Sequence, residues 1–289
     1  MFQRENTATS LETRRGLTLV DLVVTLCVGA VALALILPAM CASHNADRQV
    51  HCLQNMREVA LAVMGYTAAN AEEIPVGIYK TSRFTAQSVL LPFLEVSSVY
   101  QNFDRFQGTA DSSSKATKTR LPIYLCPDDD PKDTYKSPGG GEYARSNFVF
   151  NFGSDTMQPA AKTSMGALRF GAASSFAEIK DGLSNTVLLS ETIAGKDAKD
   201  PSGAWGYGEA GSCGYTHKNL PVTGKGVSPT VGKSASDFSN AVATASSMHG
   251  GVVNVVFADT HTARISEKVD LRAWQAMGTA AGGEAFSAE

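Results

Sequence analysis

The chain has 289 residues, enough for one large or two small domains with a substantial core, and 43% of them are hydrophobic. A formal charge of −3 leaves no basic footprint of the kind nucleic-acid binders carry. Five cysteines without a C-x-x-C pair exclude a disulfide-stapled scaffold and argue against a structural zinc site.

Residues 1–16 are polar and hold Arg4, Arg14 and Arg15 against Glu5 and Glu12. From Leu22 to Asn45 no Asp, Glu, Lys or Arg occurs, and Leu, Val, Ala and Ile dominate. An uncharged apolar run of about 18 residues or more predicts a membrane-spanning helix. Cys27 inside it reads as a small hydrophobe. Basic residues flanking a span stay on the cytoplasmic side, so the chain beyond residue 45 is expected to face outward. A secretory signal would need small residues after the run, and Pro38-Ala39-Met40-Cys41-Ala42-Ser43 fits that requirement poorly. A lipoprotein using Cys41 would want a small residue where Met40 stands, whereas an uncleaved single-span anchor stays open. Asp21 sits at the start of the run, where a carboxylate is costly and marks either a function or a side chain reaching for the headgroups.

The helical pattern continues past the run. Val50, Leu53, Met56, Val59, Ala60, Val63 and Tyr66 recur at three- and four-residue spacing. One helix from about Val20 to Ala69 would extend roughly 75 Å at about 1.5 Å per residue. Pro75 and Gly77 end it. Beyond lie short apolar pieces separated by Gly, Asp, Asn and Ser: Val89-Leu90-Leu91, Tyr124-Leu125, Phe148-Val149-Phe150, Val187-Leu188-Leu189 and Val252 to Phe257. They predict strands. Residues 195–240 are poor in large apolar side chains and are expected to form a long surface excursion, and 278–289 a flexible tail. Cys52 and Cys126 fall beyond the membrane, where disulfides are permitted, and are the candidate pair.

Gly16-Leu17-Thr18-Leu19-Val20-Asp21-Leu22-Val23-Val24 resembles the type IV prepilin signal, in which Gly is followed by Phe-Thr-Leu-Ile-Glu. The resemblance implies cleavage between Gly16 and Leu17 by prepilin peptidase and methylation of the new amine. It also implies that Asp21, the fifth residue counted from Leu17, pairs with the terminal amine of a neighbouring subunit during assembly. Pro38 stands where pilin helices often carry a kinking proline. Further blocks follow in order: Leu37-Pro38-Ala39, Cys52 to Arg57, Val89 to Glu95, Cys126-Pro127-Asp128, Phe176 to Glu191, and His249 with Asp259, nine residues lying between the last two. Together they resemble the prepilin-like proteins with an H-x9-DG signature and a C-terminal domain of unknown function. Thr260 stands where that signature has Gly; a β-branched residue resists φ > 0, so the turn is expected to be longer than two residues or of another type.

Three sites offer residue types for chemistry, and each also has a plainer reading. Asp259 and His261 share a strand face and could join His249 as metal ligands or an acid–base set; the plainer reading is a hydrogen-bonded histidine and a turn aspartate. Asp128-Asp129-Asp130 offers Asp128 and Asp130 as Ca²⁺ ligands but lacks the spaced D-x-D-x-D-G order of a calcium loop. Gly232-Lys233-Ser234 lacks the earlier glycine of a phosphate loop, Val227 standing there instead, and no G-x-S-x-G elbow exists.

The expected fold is thus α+β and pilin-like. It comprises a leader (1–16), a membrane helix (17–42), the outer half of the same helix (43–70) and a β-rich globular domain with an antiparallel sheet and long loops (71–277). The expected role is structural and not enzymatic: a single-pass inner-membrane subunit of a type II secretion or type IV pilus-like assembly, its domain facing the periplasm or exterior. Prepilin peptidase, other pilin-like subunits and the bilayer are its expected partners. The alternative is an anchored domain that displays a binding surface without polymerising.

Overall fold

The computed structural model describes residues 18–102, 116–131, 133–231 and 237–284. The leader 1–16, Leu17 after the expected cleavage point, the Gly232-Lys233-Ser234 triplet and residues 285–289 lie outside the described residues, as do the side chains of 35–46, Pro38 among them. The chain divides into two units, Met1–Asp47 and Arg48–Glu289.

The first unit contains the early part of helix α1 (Leu19–Ala69). Its start has a local cause. Thr18 precedes the first helical residue and Asp21 follows three residues later, the spacing of a capping box. The Thr18 amide and hydroxyl donate to Asp21 Oδ2 at 3.1 and 2.8 Å, and the Asp21 amide donates back to Thr18 Oγ1 at 3.2 Å. Leu19, Val20, Leu22, Val23, Val24 and Leu26 are all exposed. Among the described residues no helix is long and apolar enough to cross a membrane. The second part of the uncharged run, residues 35–45, falls on side chains outside the described set.

In the second unit the later part of α1 lays Cys52, Met56, Val59, Ala60 and Val63 into the core. The buried stripe is rotated from the one expected: Val50 is exposed and Leu53 only half-buried, while Cys52 takes the position facing inward.

The sheet has five strands: β1 (Phe148–Asn151), β2 (Val187–Glu191), β3 (Gly214–Tyr215), β4 (Val252–Phe257) and β5 (Thr262–Ser266). Their order is β5-β4-β2-β1-β3, antiparallel except for the parallel β1–β3 edge. Val, Phe and Leu dominate the central strands because both faces are covered. Phe148, Phe150, Leu189 and Val256 share one core with α1; Val149, Val253 and Val255 point the other way, into a core built around Trp274 of a C-terminal helix (Leu271–Gly278). A bulge shifts the β2–β4 register, pairing Val256 with Leu189 but Phe257 with Val187. Leu188 is thereby left over and both faces stay filled.

Several expectations need correction. Val89-Leu90-Leu91 is helical, not a strand: Thr85 and Ser88 form a capping box, α2 (Ala86–Leu90) follows, and Pro92 then opens a 3₁₀ turn. Tyr124-Leu125 likewise closes a 3₁₀ turn. Of the expected surface excursion over 195–240, residues 202–217 are buried, whereas most of 218–231 is exposed or half-buried as expected. Ala204, Trp205, Ala210, Cys213 and Tyr215 are buried, and β3 lies in this segment. Glycine replaces bulk there. At Gly203 (φ +78°) a Cβ would stand 2.2 Å from the Ser146 carbonyl oxygen, so close backbone packing substitutes for large side chains. The segment from 278 is not a loose tail through its described part. Thr279 and Ala280 are buried, the Ala280 amide donates to the Met165 carbonyl, and the Asp181 carboxylate accepts from the Gly282 and Gly283 amides.

Candidate functional site

Strand alternation decides what meets α1. Glu191 lies two residues beyond Leu189 and pairs with Phe148, so its side chain leaves the sheet on the face that α1 covers. Cys52, on the buried stripe, is the α1 residue it meets. Cys126 follows the 3₁₀ turn Pro122–Tyr124, and its amide donates to Asn147 Oδ1 at 2.9 Å. His249 precedes β4, its amide held by Ser247 Oγ at 3.0 Å. Four elements far apart in the chain so bring Cys52, Cys126, Glu191 and His249 together, their Sγ, Nε2 and carboxylate atoms all within 4.8 Å of one another and all four residues buried.

The contacts within the group are specific. Cys52 Sγ donates to Glu191 Oε1 at 2.6 Å, and His249 Nε2 lies 3.0 Å from that oxygen and 3.4 Å from Cys126 Sγ. Asn254 fixes the carboxylate from the side, its amide donating to Oε2 at 2.9 Å and its Nδ2 to Oε1 at 3.1 Å. On the far side of the imidazole, Nδ1 stands 2.8 Å from Asp128 Oδ2, in ion-pair contact although not aligned as a hydrogen bond. Arg48 holds that aspartate at 3.2 Å.

These neighbours set the charges. Burial works against the Glu191 carboxylate, yet the bond and charge of His249, with Cys52 and the Asn254 amide, hold it below the usual range. Burial also works against imidazolium, but Cys126 and Glu191 overcome it and raise His249 to about 10. The bond from Cys52 outweighs burial at Cys126 and, with His249, brings its thiol down to about 7. Cys52 itself is pushed up, first by burial and then by its neighbours. Both thiols are free. The result is a buried imidazolium–carboxylate pair with two thiols against it.

The chain matches the family described as a protein of unknown function (DUF1559) over residues 43–272. It belongs to that family. No match is found among curated proteins or among solved structures.

In this DUF1559 chain the sequence candidates part company. Asp259 and His261 pair with each other, Oδ1 to Nδ1 at 2.6 Å, beyond the opposite end of β4 from His249. The three do not form one ligand set. Four residues lie between β4 and β5, Ala258 to His261, with the Thr260 amide on the Phe257 carbonyl at 2.9 Å and the Phe257 amide on the His261 carbonyl at 2.9 Å. The turn is longer than two residues, as expected, but Thr260 itself takes the left-handed conformation at φ +72°. The acidic loop does not converge either. Asp128 meets Arg48 and His249, Asp129 accepts from Asn147 and Ala194, and Asp130 meets Arg120. With its acids spoken for separately, the loop is not a Ca²⁺ cage. Cys52 and Cys126, the candidate disulfide pair, are brought together but as free thiols. Glu191, which completes the group, carried no spacing signal.

Proposed function

We propose that the chain is a membrane-anchored, pilin-like structural subunit of a type II secretion or type IV pilus-like assembly. The observation that carries the reading is α1, one helix from Leu19 to Ala69 that is apolar and exposed at its start and builds a β-rich core with its later residues. An apolar helix end without a protein cover suits lipid or the same helix of a neighbour. The uncharged run from Leu22 to Asn45, the basic Arg14-Arg15 before it and the Gly16–Leu17 junction support the same reading. Membership of a family of unknown function is compatible with it and assigns no activity. Processing is chemistry done to the chain, by a peptidase that cuts before the span. Asp21 then has two tasks. It caps its own helix through Thr18, and its second oxygen remains for the amine of a neighbouring subunit.

The mass of the mature N-terminus, taken from full-length protein made in cells with a prepilin peptidase, tests the proposal. A chain beginning at methylated Leu17 is expected; one beginning at Met1, or beyond Ala39, overturns it. Crosslinking in membranes separates subunit from monomer. Asp21→Asn keeps an oxygen for the cap and removes the charge, so loss of multimers is expected for the subunit and no change for a monomeric anchor.

A further inference from the structure

We propose that Cys52, Cys126, Glu191 and His249 form a closed, four-ligand site for a thiophilic divalent cation of the zinc class, which ties α1 to the sheet. Two sulfurs, an imidazole nitrogen and a carboxylate oxygen are a zinc-type donor set and a poor one for Ca²⁺ or Mg²⁺. Bond lengths of about 2.0–2.3 Å put the donors of a tetrahedral zinc roughly 3.3–3.8 Å apart. The four atoms here lie within 4.8 Å, with Cys126 Sγ to His249 Nε2 at 3.4 Å and Nε2 to Glu191 Oε1 at 3.0 Å. Movements of roughly 1 Å complete the tetrahedron.

The surrounding groups are those a metal site needs. Asp128 Oδ2 stands 2.8 Å from Nδ1 of His249, on the side of the ring away from Nε2, within reach of the carboxylate–histidine hydrogen bond that supports bound metals. Asn254 holds both Glu191 oxygens, directing Oε1 into the group. Two thiolates and a carboxylate around a dication carry one net negative charge, as a Cys₃His zinc centre does. A Cys52–Cys126 disulfide would use the sulfurs alone and leave Glu191 and His249 aimed at atoms that neither donate nor accept well. Four protein ligands in a buried place leave no open position, so the ion's part is structural. Metal binding here is independent of whether the chain assembles.

The test uses the full-length chain, reduced and purified in detergent without chelator. About one equivalent of zinc is expected by elemental mass spectrometry, and exchange with Co²⁺ should give thiolate-to-cobalt charge-transfer absorption and the strong visible bands of tetrahedral cobalt. Cys52→Ser and Cys126→Ser should each weaken the charge-transfer band, and Cys213→Ser, buried elsewhere, should leave it unchanged. Should the ligand variants fail to fold, Asp128→Asn decides: it keeps all four ligands and is expected to weaken cobalt affinity about 10- to 100-fold at unchanged stoichiometry. A folded, reduced chain that holds no zinc and gives no cobalt band overturns the proposal. So does a resting Cys52–Cys126 disulfide in peptide mapping, or a band indifferent to both cysteine substitutions.

Discussion

Strand β4 is flanked by two histidine–carboxylate pairs that differ in nearly everything except composition. His249 and Glu191 lie 3.0 Å apart with side chains 0% and 2% exposed; His261 and Asp259 lie 2.6 Å apart at 45% and 35%. The exposed pair is two residues apart in sequence and organises its own turn. The buried pair is assembled from residues 58 apart in sequence and recruits two thiols, Asn254 and Asp128. Similar side chains therefore make a surface turn in water and a polar centre in the core. Burial, which makes every unmet partner costly, separates them.

Four measurements would break or sharpen that contrast. Glu191→Gln should cost the most, roughly 3–5 kcal/mol by denaturant unfolding, because it removes the buried carboxylate from His249 Nε2 and leaves Asp128, on the other side of the ring, as the remaining carboxylate in contact; a loss under about 1 kcal/mol would put the two pairs on the same footing. A third histidine extends the comparison to burial without a carboxylate. The His217 ring lies 4.0 Å from that of Trp274 at a 30° tilt, and burial holds its pKa down to about 3, against the Trp274 carbonyl 2.6 Å from Nδ1. The unfolded chain takes up that proton near about 6.5 and the folded chain only near 3, so stability falls as pH drops through this window. Its contribution between pH 6.5 and 4.5 is about 2 kcal/mol, and His217→Gln should flatten the unfolding midpoint against pH by that amount. Thr260→Gly relieves a β-branched residue at φ +72° and is expected to raise stability by about 1 kcal/mol, seen as a higher melting temperature. His261→Ala, at the exposed pair, should stay within about 0.5 kcal/mol.

What could be read beforehand follows the range of the forces involved. The α1 helix, its end near residue 70 and the strands at 148–150, 187–189 and 252–257 are local periodicities, and the structure has them. Cys52, Cys126 and His249 stood out as residue types. Glu191 did not, because a glutamate closing an apolar strand looks like any strand end until the opposing helix is known. The ligand atoms come from positions up to 139 residues apart for one contact, which no spacing rule reaches. Residues 201–217 misled for a related reason. Composition counted few large apolar groups there, whereas the folded chain packs glycine backbone directly against its neighbours.

The descent of Cys52, Met56, Val59 and Val63 into the core has a consequence for how the chain is made. This stripe leaves the ribosome first, yet Phe148, Leu189 and Val256, which share its core, are synthesised much later. Contacts of such long separation form slowly, and unsatisfied apolar surface invites wrong pairings while it waits. Vectorial synthesis thus exposes the later half of α1 during the interval when it has no partner. A holding factor that engages this helix before the sheet closes would shorten the hazard, and pulse-labelled nascent chains should bind one until β4 has been translated.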